Sequence, residues 1–423
     1  MQEDFLHFLW KHKKFDVLNI KTAKAETIQL VDVGQHNQNS GPDFFNAKLK
    51  IENQLWAGNV EIHVKSSNWY AHQHETDKAY DNVILHVVWE HDAEVYRKDN
   101  SIIPTLLLQE FVPKNLIENY RRLFSKQQRW INCEANFAEV DNFTLINWKE
   151  RLFIERLERK SQQIERLLND SNQHWEAVLF TMLFRNFGLK VNADAFESIA
   201  KSIDFSIVRK LQTQSEQLEA LFCGQAGLLE SNIEEAYYQN LKKAYQYLKQ
   251  KFQLETLGVV PIQFFRLRPP NFPTIRLSQL AQLYHKHYNL FSQVISISTI
   301  EEFYDLFSVE TSEYWQTHYS FTSISKSSTK KLTKSFIDLL IINTIIPIKY
   351  CFSKYKGNDE NEIIFSLATA IKSEENSIIK KFNQLAPISQ SALDSQALLQ
   401  LKSHYCDANK CLQCAIGNSI ITK

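Results

Sequence analysis

The sequence predicts an α+β protein, with an α/β domain carrying a mixed sheet over residues 1–112 and a mostly α-helical domain over residues 113–423. Three observations predict it. Residues 44–65 read as two strands joined by the polar turn Glu52, Asn53, Gln54. Residues 82–89 are nearly continuously apolar (Val83, Ile84, Leu85, Val87, Val88), the pattern of a strand covered on both faces. After Pro113 the apolar spacing changes from a period of two to a helical one and keeps it to the end.

In chain order, residues 3–15 predict an amphipathic helix, with Phe5, Leu6, Leu9 and Trp10 at helical spacing and lysines toward its C-terminal end, where the helix dipole favours them. Residues 27–33 predict a strand and 34–41 a glycine-bounded loop. In the strand 55–65, Val60, Ile62 and Val64 fall on one face and Glu61, His63 and Lys65 on the other, as in a half-buried strand. Residues 66–81 predict a loop or short irregular helix, and 95–108 edge strands turning at Asp99 and Asn100. Helices are expected over 114–124, 142–169, 172–187, 234–252, 277–287, 331–344, 362–371 and 392–404, with an exposed Ser/Lys/Thr loop at 323–334.

Lys plus Arg and Asp plus Glu number 48 each, so a surface for nucleic acid must come from local clustering rather than excess charge. The N-terminus lacks the basic and apolar regions of a signal peptide, and the longest apolar run, 336–347, is interrupted by polar residues and too short to span a bilayer, so a cytoplasmic protein with no membrane partner is expected. Six cysteines in a chain of 423 residues are not a disulfide scaffold, so clustered ones point to metal or reactivity.

The chemistry is expected between Gly41 and Lys65. An acid inside a strand needs something to satisfy it, and Glu61 paired in space with Asp43 suits a divalent metal. Asp43 shares parity with the apolar set Phe45, Ala47, Leu49 and Ile51, so a bend or bulge near Pro42 is expected to bring it to Glu61. Pro42-Asp43 at a strand start, followed in the next strand by Glu61-Ile62-His63, resembles the PD-(D/E)XK nuclease superfamily. The resemblance implies a restriction-endonuclease-like domain, Mg²⁺ or Mn²⁺ on Asp43 and Glu61, and phosphodiester hydrolysis of DNA or RNA. His63 stands where that superfamily usually has lysine, and Lys65 lies two residues on; either is a candidate to orient the attacking water. Glu3 matches a position that supplies an extra acid in some branches.

His63, His72, His74, His86 and His91 crowd the same region, and His72 and His74 with Asp77 form a possible transition-metal set, while His86 reads as a hydrogen-bonded core residue. Cys406, Cys411 and Cys414 need one more ligand for a tetrahedral site; Cys133 is the first choice and His404 its competitor, with zinc ahead of iron–sulfur. Some nucleases of the superfamily carry an iron–sulfur cluster on one remote and three C-terminal cysteines, a similar layout. Cys223 and Cys351 read as packing residues. Arg266, Arg268 and Arg276 lie in a proline-stiffened segment and are candidate nucleic-acid contacts, or partners of neighbouring helices. Gly41-Pro42-Asp43-Phe44, Asn59 to His63, Asn82 to Val88, Arg266 to Arg276 and the terminal cysteines together resemble a bacterial domain-of-unknown-function family common in Bacteroidetes. That resemblance implies no activity. The residues therefore lead to a metal-dependent nuclease, with a non-catalytic nucleic-acid or protein-binding scaffold of degenerate nuclease fold as the alternative, and a hydrolase using histidine-bound metal on another substrate as a third class.

Overall fold

A computed structural model describes residues 1–125 and 129–423. The chain forms two compact units, Met1–Trp148 with Leu401–Lys423, and Lys149–Gln400. The helix Lys114–Leu123 buries Leu116, Tyr120 and Leu123 in the same core as Phe5 and Leu106, and Cys411 and Ile421 from the last residues join that core.

The first unit is built on a curled mixed sheet. Helix α1 (Glu3–Lys11) precedes strands β1 (Ile28–Asp32), β2 (Gln35–His36), β3 (Phe44–Ile51), β4 (Gln54–Lys65), β5 (Val83–Glu90) and β6 (Thr105–Leu107). The order is β1-β3-β4-β5-β6, with β2 on β3. β1, β3 and β4 form an antiparallel meander; β5 and then β6 add parallel to β4. A parallel neighbour needs a crossover, and residues 66–82 supply it through the short helix α2 (Asn68–Ala71) and a 3₁₀ turn at Lys78–Tyr80. Of the edge strands expected over 95–108, only Thr105–Leu107 is a strand; Tyr96 and Ile102 make an isolated bridge.

Two local features position the site. β5 and β4 approach so closely at Gly58 that a Cβ there would lie 2.5 Å from Ile84 Cγ2 and 2.6 Å from the Asn82 carbonyl, which only glycine allows. In β3 the register slips between Phe44, opposite Val60, and Ala47, opposite Gly58. The extra residue is a bulge, with Asn46 at φ +57°. The inward set is consequently Phe44, Ala47, Leu49 and Ile51, and Asp43 comes off its parity.

The face of β4 bearing Glu61 and His63 is not solvated, contrary to the half-buried expectation; residues 58–63 are all buried. The crossover folds back over it, and Trp69 and Tyr80 form a small second core with Val83, Val95 and Ile103.

The second unit is almost wholly helical. Phe180, Phe184 and Phe222 pack with centroids 4.5 Å and 4.9 Å apart between successive rings. Buried Glu219 accepts hydrogen bonds from Tyr237 Oη at 2.7 Å, Ser278 Oγ at 2.9 Å and Trp315 Nε1. Residues 322–329 are largely exposed, as the Ser/Lys/Thr bias indicates, whereas Lys330 is buried. Lys334–Lys356 is longer than the apolar run read from sequence; it is the helical stretch among the described residues that is long and apolar enough to cross a membrane, and 72% of its most apolar window is buried inside the protein. A π turn at Ile341–Ile345 lies within it, just before Pro347, which has no N–H to give an i−4 carbonyl.

Candidate metal centre

The bulge sets Asp43 across from Glu61, and the two acids are joined through backbone. Asp43 N–H donates to Glu61 Oε2 at 3.1 Å, and Ile62 N–H donates to Asp43 Oδ2 at 2.9 Å. Helix α1 contributes from the other side: Glu3 and His7, one turn apart, complete a group with Asp43 whose ligand atoms lie within 4.8 Å of one another. His7 Nε2 stands 3.2 Å from Asp43 Oδ2.

The second lobe is imidazole. Glu61 Oε1 lies 3.4 Å from His63 Nε2 and 3.3 Å from His74 Nε2. His63 Nε2 is also 3.1 Å from His72 Nδ1, and its Nδ1 is 2.9 Å from His86 Nε2. The ligand nitrogens of His63, His72 and His74 fall within 4.8 Å of one another. Tyr80 stacks on His74 at 3.8 Å, which fixes that ring's plane.

Burial and crowding set the charge states. Glu61 is pushed up to about 9, first by burial and then by Asp43. His63 is pushed down to about 2 by burial and the neighbouring histidines, and His86 to about 3 chiefly by burial. Burial also lowers His74 and raises Glu3, with Asp43 adding to the latter. For His7 burial opposes the charged form, but its hydrogen bond and attraction to Asp43 prevail and raise it. Neutral imidazoles are the metal-ligating form, and a cation placed among these groups would offset the burial and the repulsion from Asp43 that together favour a proton on Glu61.

Asp43, Glu61, His63, His72 and His74 are thus brought together, and His86 is the buried, hydrogen-bonded residue expected. Asp77 is not with them: its carboxylate caps the 3₁₀ turn by accepting from Ala79 N–H at 2.9 Å. Nor is Lys65, which is half-exposed and lies 3.4 Å from Glu90 Oε1. His91 sits 3.9 Å from Glu94. His7 is the member that sequence reasoning missed; its place one turn after Glu3 on the polar face of α1 was the available signal.

In the second unit Arg266 and Arg268 are exposed. Arg276 is not a presented cation. Pro273 begins the helix Pro273–Lys286, a position where proline fits because its missing N–H is not needed, and this turns Arg276 inward. It is buried, bonds Gln279 Oε1 at 2.9 Å and Asn271 Oδ1 at 2.6 Å, and lies over Phe336 with its Cζ 3.6 Å from the ring centroid. Cys133, Cys406, Cys411 and Cys414 all belong to the first unit, while Cys223 and Cys351 are buried in the second.

A sequence profile described as a protein of unknown function, DUF2851, matches residues 3–377. The chain belongs to the DUF2851 family. No curated protein and no solved structure matches it. The part matched to DUF2851 contains every side chain of the centre, from Glu3 to His86, together with Cys133; Cys406, Cys411 and Cys414 lie beyond it.

Proposed function

We propose that this DUF2851 protein is a metal-dependent nuclease that hydrolyses phosphodiester bonds of DNA or RNA. The observation that carries the reading is the cross-strand pair Asp43 and Glu61 on an antiparallel meander, with Glu61 on the strand that a parallel neighbour joins. A helix, a three-stranded meander and a crossover to a parallel strand is also the order of the restriction-endonuclease-like core, and in this reading the two acids correspond to its metal-binding pair.

Asp43 and Glu61 would hold the metal from adjacent strands, with Glu3 and His7 completing the α1 side and His74 the crossover side. The donor set mixes oxygen and nitrogen, which favours Mn²⁺ or another imidazole-binding ion over Mg²⁺. A metal held there would supply a water of lowered pKa and neutralise charge on the phosphate. His63, held between His86 and His72, is a positioning group rather than a base. His72 is exposed, and in this reading its imidazole would take the proton from the attacking water.

The test is cleavage of single- and double-stranded DNA and RNA with Mn²⁺ or Mg²⁺, beside Asp43→Ala and Glu61→Ala. Cleavage lost in both folded variants supports the reading. A wild-type protein that binds metal and nucleic acid but cleaves nothing would make it a binding scaffold. The crowd of histidines favours a second reading, in which the same centre hydrolyses a non-nucleic ester; turnover of small phosphodiesters or carboxylic esters with no action on nucleic acid would select it.

A further inference from the structure

We infer that His63, His72 and His74, closed by Glu61 Oε1, form a tetrahedral zinc-class site of their own, distinct from the site that Asp43 makes with Glu3 and His7. One ring nitrogen from each histidine lies within 4.8 Å of the other two, and Glu3, His7 and Asp43 form a separate group. Glu61 stands between the groups. Its Oε1 faces His63 and His74, while its Oε2 accepts from the Asp43 amide.

The separations are those of a coordination shell. Ligands bonded at about 2.0–2.1 Å to a tetrahedral ion lie about 3.3 Å apart. Glu61 Oε1 is 3.4 Å from His63 Nε2 and 3.3 Å from His74 Nε2, and His63 Nε2 is 3.1 Å from His72 Nδ1. Three edges of one tetrahedron are therefore in place. On its other side His63 has Nδ1 2.9 Å from His86 Nε2. With the N–H on Nδ1 donating there, Nε2 turns its lone pair toward the other three donors, and a metal-bound imidazole characteristically gives its second nitrogen's proton to such a partner.

The crossover supplies its two ligands through local structure. His72 follows the last residue of α2, and Gln73, at φ +61°, takes the left-handed conformation that a side chain adopts only where its surroundings enforce it. This turn leaves the His72 and His74 rings 5.4 Å apart. Buried Trp69 meets the His74 ring edge-on at 5.4 Å, opposing free rotation of that ligand.

Three imidazoles and one carboxylate suit zinc or another imidazole-binding ion rather than Mg²⁺. With Glu61 as fourth ligand the shell is closed, as in structural zinc sites, so the ion would pin the crossover on β4 and leave Glu61 Oε2 for the Asp43 side. When this site is filled, His72 and His74 are its ligands, and the roles given to them above belong to the protein carrying a single ion. The site does not rest on the nuclease reading, because its geometry is complete without a substrate.

The experiment strips the full chain with a chelator under reducing conditions and titrates it with Zn²⁺ or Co²⁺. Wild type should take up about one zinc ion more than His72→Ala or His74→Ala. His72 is exposed, so its variant should fold, and affinity for that ion should fall by more than about 100-fold, beyond the roughly 10–100-fold cost of losing a partner behind a ligand. Asp43→Ala and Cys406→Ser should keep the ion. In the cobalt protein, the spectrum lost with His72→Ala should be the ligand-field bands of a tetrahedral ion without sulfur-to-metal charge transfer, which separates it from any ion on thiolates. Equal zinc content and affinity in wild type and both histidine variants would overturn the inference, as would no zinc uptake by folded wild type. Zinc held by the histidines in a protein that cleaves nothing would support the site and defeat the nuclease reading; cleavage with Mn²⁺ in a protein without the histidine-bound ion would do the reverse.

Discussion

Asp43 and Glu61 each hold the other's strand: the amide of Asp43 is bound by the Glu61 carboxyl at 3.1 Å, and the amide that follows Glu61 is bound by the Asp43 carboxyl at 2.9 Å. The two acids therefore have structural duties beside the metal-binding ones proposed for them, and substitutions can separate the two. Asn at 43 can still accept from Ile62 N–H, but contributes no charge. Asp43→Asn is expected to keep its melting temperature without metal, while losing the rise in melting temperature on adding Mn²⁺ and roughly 10²–10⁴-fold of cleavage rate. Asp43→Ala also strands the Ile62 amide and should destabilise by about 1–3 kcal/mol. Thermal melts with and without Mn²⁺, paired with cleavage rates, check this.

The identity of the residue two after Glu61 gives a second prediction. Lys65 is half-exposed against Glu90, so Lys65→Ala should change cleavage by less than about threefold, in keeping with the small weight of exposed ion pairs. His63 touches Glu61, His72 and His86, and His63→Ala should remove most of the activity. Equal effects of the two substitutions would refute this division of roles.

The second unit offers a pH dependence. Burial raises the Glu219 carboxyl above its usual range, although Trp315, Tyr237 and Ser278 donate to it and pull the other way. The folded state then holds a proton that the unfolded state has released, so stability falls as pH rises from the ordinary carboxylate value through the raised folded one. Glu219→Gln keeps the acceptor oxygen and removes the charge. Its denaturant midpoint should vary less over that interval than wild type, whereas Glu219→Leu strands the Trp315 and Ser278 donors, Tyr237 keeping Ser312 Oγ at 3.0 Å, and should cost about 1–3 kcal/mol for each stranded donor.

Arg276 and its neighbours in sequence should behave oppositely. Burial lowers the Arg276 pKa to about 10, and its hydrogen bonds go to two side-chain amides. Arg276→Ala is expected to destabilise the second unit by about 2–4 kcal/mol, through lost packing on Phe336 and two stranded amides. Arg266→Ala and Arg268→Ala should leave the melt unchanged. If these two exposed cations meet phosphate, their loss weakens nucleic-acid binding and reduces its salt dependence, measured by polarisation at several ionic strengths.

Strand order in the first unit was legible because period-two alternation and the unbroken apolar run of Asn82 to Trp89 are local signals. The pair Asp43 and Glu61 was legible because proline, glycine and parity limit where a strand can start, and the needed irregularity could be named before its location at Asn46 was known. What covers Glu61 and His63 was not legible: Trp69, His74 and Tyr80 act through a crossover whose return is set by tertiary packing rather than by its own periodicity. Of the two roles open to the arginines of 266–276, Arg276 takes the packing one, because Pro273 opens a helix where the prolines of the segment suggest a loop. The association of Leu116 and Tyr120 with Phe5 in one core is likewise a long-range fact that local periodicity does not carry.

The first unit is discontinuous, closing only when Leu401–Lys423 return to it: Asn119 Nδ2 donates to the Ile421 carbonyl at 3.3 Å, and Ile421 is fully buried. On a ribosome, that tail emerges after the whole of Lys149–Gln400. The nascent sheet must therefore wait with part of its apolar surface open while the helical unit is made, the interval in which unfinished cores are most prone to aggregate.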